Sequence, residues 1–296
     1  MKSLDEIEIS TSTIISTTNM AINLDWLYTV LPVLDIKIPA KIKYLKQFQK
    51  YIIDLNPPYG TITLKQFGNK IDGITFRRKK KKGPPFRNSL SLVMYVGKLI
   101  TIKVPIKGKI HCVGCTGDEH PEKCIEHLYG IMKHYPSSPE TYKLIKSDHL
   151  RVVMFTVMTN FMLRIGFDIN RKHLDMFINR HTKYNSLLEA SFGYTGVIIK
   201  MPFEIRPEQT GAKLMTIDSS GVVETSEISY EEYLKTLTAI DRKKELGKHR
   251  KNSFMVFHSG TCILSCKSRE LVRDSFKAFT EIVLYNRDKI EEMIDL

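Results

Sequence analysis

The chain has 296 residues, 42% of them hydrophobic and 26% charged, the profile of a soluble globular protein able to build a substantial core as one large domain or two medium ones. No apolar run is long enough to span a bilayer as a helix, and the opening MKSLDEIEIS carries acids where a signal peptide carries a basic end, so neither membrane insertion nor secretion is expected. Five cysteines, an odd number, read as reduced intracellular thiols, and the excess of 45 Lys and Arg over 32 Asp and Glu, a net charge of +13, points to an anionic partner, nucleic acid before membrane surface.

In chain order, residues 1 to 10 read as a frayed acidic start. The run Thr13 to Ile22 predicts a strand, and Asn23 an N-cap for the helix that follows. Ile42, Leu45, Phe48, Ile52 and Ile53 recur at helical spacing in a lysine-rich insertion, about residues 40 to 56, which Asn56-Pro57-Pro58-Tyr59-Gly60 stops. Thr61 to Phe67 and Ile74 to Phe76 predict strands. The run Arg77-Arg78-Lys79-Lys80-Lys81-Lys82 reads as a solvated loop or, equally, a phosphate contact, with a nuclear import signal as a third reading. Strands over Leu90 to Val96 and Leu99 to Val104 should turn at Gly97-Lys98. A further strand from Lys109 through Ile110 and Val113 gives way to a helix carrying Cys124, Ile125 and Leu128.

Pro136-Ser-Ser-Pro139 marks a boundary, with Thr141 to Asp148 as a link. Val152 to Ile165 then predicts a strand and Asn170 the cap of another helix. After Val197 to Pro202 a polar insertion, about residues 204 to 250, carries one helix over Tyr230 to Leu246 and is expected to lie outside the core. Phe254, Val256, Thr261, Ile263 and Ser265 alternate about Ser259-Gly260 as a hairpin. Ser268 caps a closing helix whose apolar side is Leu271, Val272, Ser275, Phe276, Phe279 and Val283. Strand, capped helix, several strands, helix thus occurs twice at a spacing of roughly 150 residues, far beyond solenoid periods. The expected division is residues 1 to 139 and 140 to 296, each an α+β half.

Ile14-Ile15-Ser16-Thr17-Thr18-Asn19-Met20 before a helix, Tyr194-Thr195-Gly196-Val197-Ile198-Ile199-Lys200-Met201, and Phe254 to Gly260 before a helix resemble the core of the TATA-binding protein family, in particular the divergent TATA-binding-protein-like factors of large cytoplasmic DNA viruses. The resemblance implies a saddle of two pseudo-symmetric halves, with a curved antiparallel sheet on the DNA minor groove and helices on the convex face. It implies a transcription initiation factor that bends A/T-rich duplex and recruits a TFIIB-like factor and RNA polymerase, working as a monomer on DNA with no membrane and no cofactor. The location implied is the nucleus, or a cytoplasmic viral factory and the virion. The alternative on the same fold is a protein-interaction adaptor with weak or non-specific DNA binding.

Carried over by position, the residues that pry base steps apart are Phe86, Tyr194 and Phe257, with a fourth position falling at about Pro105. By pattern alone Phe257 reads as a core aromatic. The family's two central asparagines fall at Thr13 and about Met154, with poorer hydrogen-bonding capacity than an amide. Lys109 and Lys200 match positions near the DNA backbone, Lys98 and Lys103 lie on the same sheet, and Ser265 joins the set; for the four lysines, plain surface solvation is the alternative.

His111, Cys112, Cys115, His120 and Cys124 include a C-x-x-C, which suits either zinc or ordinary thiols. Cys112 and Cys115 should face opposite ways unless the strand turns at Gly114. There is no G-x-S-x-G, phosphate-binding glycine loop or H-E-x-x-H, so no catalysis is expected. His173 and His181 read as helix-surface residues and Trp26 as core.

Overall fold

The computed structural model describes residues 2–75, 88–106, 108–188 and 196–292. In chain order its elements are β1 (Ile9–Thr18), β2 (Met20–Ile22), α1 (Leu24–Val30), α2 (Leu45–Leu55), β3 (Thr61–Phe67), β4 (Lys70–Gly73), β5 (Ser89–Tyr95), β6 (Leu99–Pro105), β7 (Lys109–Cys115), α3 (Glu119–Lys133) and β8 (Tyr142–Leu144). They continue with β9 (Leu150–Arg164), α4 (Arg171–His181), β10 (Asn185–Leu188), β11 (Gly196–Phe203), β12 (Gly211–Ile217), β13 (Val223–Ser229), α5 (Tyr230–Thr236), α6 (Ala239–Leu246), β14 (Arg250–Phe257), β15 (Thr261–Cys266), α7 (Arg269–Tyr285) and α8 (Arg287–Ile290). The class is α+β with a large antiparallel sheet, as expected.

Packing divides the chain into two units, residues 1–12, 156–211 and 229–296 in the first, and 13–155 with 212–228 in the second. The division therefore falls inside β1 and inside β9, each of which supplies residues to both units, and not at Pro136 to Pro139. In the second unit the strands run β3-β5-β6-β7-β1 side by side; in the first they run β10-β11-β14-β15-β9. Along the chain these are β1, α1, β3, β5, β6, β7, α3 and β9, α4, β10, β11, β14, β15, α7. The order of elements and the order of strands are the same in both units.

Local chemistry fixes each repeat. Asn23 accepts the amide of Trp26 at 3.1 Å and Asn170 that of His173 at 3.0 Å, so both opening helices start on an asparagine that satisfies an otherwise unpaired N–H. Ser268 likewise accepts from the Leu271 amide. The apolar side of α7 is the one its periodicity predicts, with Leu271, Val272, Ser275, Phe276, Phe279 and Val283 all buried. Phe279 stacks on Phe254 of β14 at 4.3 Å between ring centres. In the second unit Leu90, Leu92, Met94, Ile100, Ile102 and Val104 pack with Cys124, Ile125, Leu128 and Met132 of α3.

Several expectations change. Residues 4 to 10 are not frayed: Leu4 and Ile7 are buried in the first unit's core, Arg269 donates to the Leu4 and Ile7 carbonyls, and Arg273 pairs with Asp5 at 2.8 Å. The strand after β3 is β4, because the chain reverses tightly at Gly68, where φ is +56°; Ile74 and Thr75 lie outside any strand, and Phe76 lies outside the described residues. The second insertion is only partly external: β12 pairs with β9, and Met215 and Ile217 enter the second unit's core. Its helix is two helices, since Leu237 is extended and Thr238 caps α6 by accepting from Asp241. The link after Pro139 forms β8, which pairs with β2. Trp26 is half-buried, stacked on Tyr142 and edge-on to Tyr135.

Candidate nucleic-acid interface

Strand alternation gives each sheet a side packed under helices and a far side. In β14 the residues under α7 are Asn252, Phe254 and Val256, which leaves Ser253, Met255 and Phe257 on the far side. The register then lines residues up across five strands. Leu187, Ile198, Met255, Ile263 and Met162 form one continuous apolar row, with Leu187 53% and Met162 58% exposed. Beside it runs a polar row, Asn185, Lys200, Ser253, Ser265 and Asn160. Arg164, exposed opposite Thr261, adds a second cation to this side.

Phe257 ends the apolar strip and is half-buried on the far side, not sealed under α7. It pairs with Gly196, where a Cβ would approach Met255 Cγ at 3.0 Å, the Val256 carbonyl oxygen at 3.2 Å and the Phe257 ring at 3.4 Å, so a glycine here leaves room for both side chains over the β11 backbone. The hairpin reverses at Gly260, φ +67°, where any side chain would collide with the Phe167 carbonyl. Ser265 donates to Asn160 Oδ1 at 2.7 Å. Lys200 stands exposed at mid-strand.

Asn160 takes the place in the first unit that Thr13 takes in the second. Thr13 lies ten residues before the cap Asn23, and Asn160 lies ten before the cap Asn170, so the position equivalent to Thr13 is Asn160 and not Met154. Met154 is buried in the second unit opposite Lys213, because β9 begins at Leu150 and runs on for 15 residues. Counting back from the capped helix identifies Asn160 in the bare sequence. The far-side row of Ile198, Met255, Ile263 and Met162 was equally legible as alternation once the register was known.

In the second unit Thr13 is half-buried, between buried Ser12 and Ile14. Lys103 is exposed opposite Ser91 and His111, Lys109 opens β7, and Lys98 sits in the β5–β6 turn beside Gly97, φ +88°. Burial, then the neighbouring charges of Lys103 and Lys109, hold the His111 imidazole below its usual pKa, so its neutral form is favoured. Pro105 lies opposite Ser89 at the far end of β6. Phe86, Tyr194 and the basic run Arg77 to Lys82 lie outside the described residues.

This side is not bare. Phe48 and Ile52 of α2, at 2% and 0% exposure, pack with Val93, Tyr95 and Leu99 on the side of the sheet away from α3. Between helix and sheet lies a cavity of about 290 Å³ lined by Leu45, Gln49, Leu64, Val93, Thr101 and Lys103.

Gly114 has a φ of +99°, which turns β7 so that Cys115 is buried like Cys112. A hydrogen bond between the Cys112 and Cys124 thiols, and after it burial, raises the pKa of Cys112, and burial pushes Cys115 up to about 12, so both remain thiols at neutral pH. Among the described residues no group of three His, Cys, Asp or Glu side chains is arranged to hold a metal ion. His173 and His181 are exposed on α4. No helix among the described residues is long and apolar enough to cross a membrane.

Together these features define an α+β protein with a repeated strand-helix-four-strand-helix unit and a far sheet side that is apolar, hydroxyl-bearing and basic. No protein-family model matches the chain. It is 23% identical over 229 residues to uncharacterized protein 335L of Invertebrate iridescent virus 6, a match covering 73% of this chain and 67% of that one. Among solved structures it is similar to Methanococcus jannaschii TBP, with 13% identity, a TM-score of 0.41 and coverage of 95% of this chain and 99% of that one.

Proposed function

We propose that the protein is a transcription initiation factor that binds double-stranded DNA through the minor groove, bends it, and recruits a TFIIB-like factor and RNA polymerase. The observation that carries this reading is the far side of the first unit, where the row Leu187, Ile198, Met255, Ile263 and Met162 runs beside Asn185, Lys200, Ser253, Ser265 and Asn160. The minor groove presents little donor and acceptor information, so a protein there gains affinity from apolar contact, charge neutralisation and the wedging of side chains into base steps. A five-strand sheet side that no helix covers among the described residues, with an apolar row, a half-buried phenylalanine and flanking cations, meets that requirement. The repeated order of elements and the motifs around Ile14, Gly196 and Phe254 support the same reading.

In this role Phe257 wedges, with Phe86 and Tyr194 as its counterparts. Asn160 and Ser265 meet base edges, Thr13 holds the equivalent place in the other unit, and Lys200, Lys98, Lys103 and Lys109 neutralise phosphate. Flexible A·T-rich steps are the preferred target because unstacking them requires least. Titration of labelled A·T-rich duplex against salt, with a G·C-rich duplex and heparin as competitors, tests the proposal. A·T-rich duplex should win by at least about tenfold at equal charge. Equal, purely salt-governed affinity for all three would instead leave a protein-interaction adaptor, a reading favoured by the helix that covers part of the second unit's sheet.

A further inference from the structure

The two far sides differ by α2, and the difference has a functional direction. α2 is fixed in place: Phe48 and Ile52 are buried on the sheet, and the Tyr95 hydroxyl donates to Asn56 Oδ1 at 2.9 Å, tying the end of the helix to β5. Asn56 stops the helix in the left-handed region, φ +46°. At 100° per residue, Lys46 and Lys50 project roughly opposite the Phe48 and Ile52 edge, away from the sheet. Lys41 and Lys43 precede them, all four are exposed, and Asp54 is the lone acid between residues 41 and 55. Among the described residues none of the four lysines forms an ion pair with a carboxylate, whereas Lys65 and Lys213, in the same unit, pair with Asp72 and Glu122.

We propose that the outer side of α2, through Lys46 and Lys50 with Lys41 and Lys43, is a contact surface for the phosphate backbone of double-stranded DNA, taking over in the second unit part of the role that the bare sheet has in the first. This rests on the DNA-binding reading above. The complementarity is of charge: Phe48 and Ile52 are committed to the sheet, and the outward side sets the cations Lys46 and Lys50 around the half-exposed Ile53, a surface whose net positive charge fits a polyanion. Contacts of this kind carry no sequence information and act through counterion release, so they set affinity and salt dependence and leave site preference to the sheet.

The test compares wild type with the Lys46→Gln/Lys50→Gln double variant on A·T-rich and G·C-rich duplexes across a salt series, with Lys277→Gln, exposed on α7, as control. Two lost phosphate contacts should lower the slope of log affinity against log salt by about 1 to 2 and weaken binding about tenfold on both duplexes, leaving their ratio unchanged. In parallel, bound duplex should protect Lys46 and Lys50, and not Lys277, from amine acetylation read by mass spectrometry. An unchanged slope together with full acetylation in the complex, while wild type binds and Lys200→Gln weakens binding, overturns this inference and leaves the function standing. Absence of any duplex binding by wild type overturns both.

Discussion

The two units share one order of strands and helices but differ in what their sheets show on the side away from α3 and α7. In the first unit Leu187 and Met162 stand more than half exposed at the ends of an apolar row; in the second the comparable side holds Val93, Tyr95 and Leu99 beneath Phe48 and Ile52 of an inserted helix. Apolar residues left bare at such a density usually await a partner, whereas covered ones contribute to stability. The same architecture thus leaves one sheet side exposed and covers the other.

Removing side chains from each side should separate these uses. Phe48→Ala or Ile52→Ala should destabilise the protein by about 3 to 5 kcal/mol in urea unfolding, since each leaves a cavity under α2. Met162→Ala and Leu187→Ala should stay within about 0.5 kcal/mol of wild type. Equal losses at covered and bare positions would erase the distinction.

A buried lysine marks a second difference. Lys65 in the second unit donates to the Tyr28 and Leu31 carbonyls at 2.9 and 2.7 Å and pairs with Asp72. Lys267 in the first unit is driven down to about 7 by burial, with Arg250 and Lys248 pushing the same way and Glu245 opposing. Because its folded pKa is depressed, the unfolded chain holds more protons between about pH 7 and the usual lysine value. Stability should therefore rise with pH across that window, by an amount on the order of a few kcal/mol. Lys267→Met should flatten the rise in a series of unfolding curves from pH 7 to 10.

What the units share should respond alike. Asn23→Ala and Asn170→Ala each remove one cap hydrogen bond and should each lower stability by about 1 kcal/mol. A loss at one cap alone would show that the repeat is a likeness of sequence without equal energetic weight.

Much of this was legible beforehand because its signals are local. The asparagine caps, the glycine turn at Gly260 and the six buried positions of α7 follow from side-chain chemistry and a period of 3.6. What escaped depends on partners distant in sequence. β12 reads as a polar excursion until its pairing with β9 buries Met215, and α2 reads as an amphipathic helix with no indication of which surface receives it. The equivalence of Asn160 to Thr13 follows from counting back from the fixed helix cap Asn170 and not from the start of β9, which runs for 15 residues. By that count Met154 does not take that place.

The most direct test concerns Phe257. A duplex labelled at both ends, carrying an A·T-rich centre, should shorten its end-to-end distance on adding wild-type protein, as read by energy transfer. Phe257→Ala, which leaves Phe254 and the core intact, should still bind at low salt but lose most of that shortening. If Phe257→Ala bends the duplex as fully as wild type, the far side of the first unit is not the surface that deforms DNA.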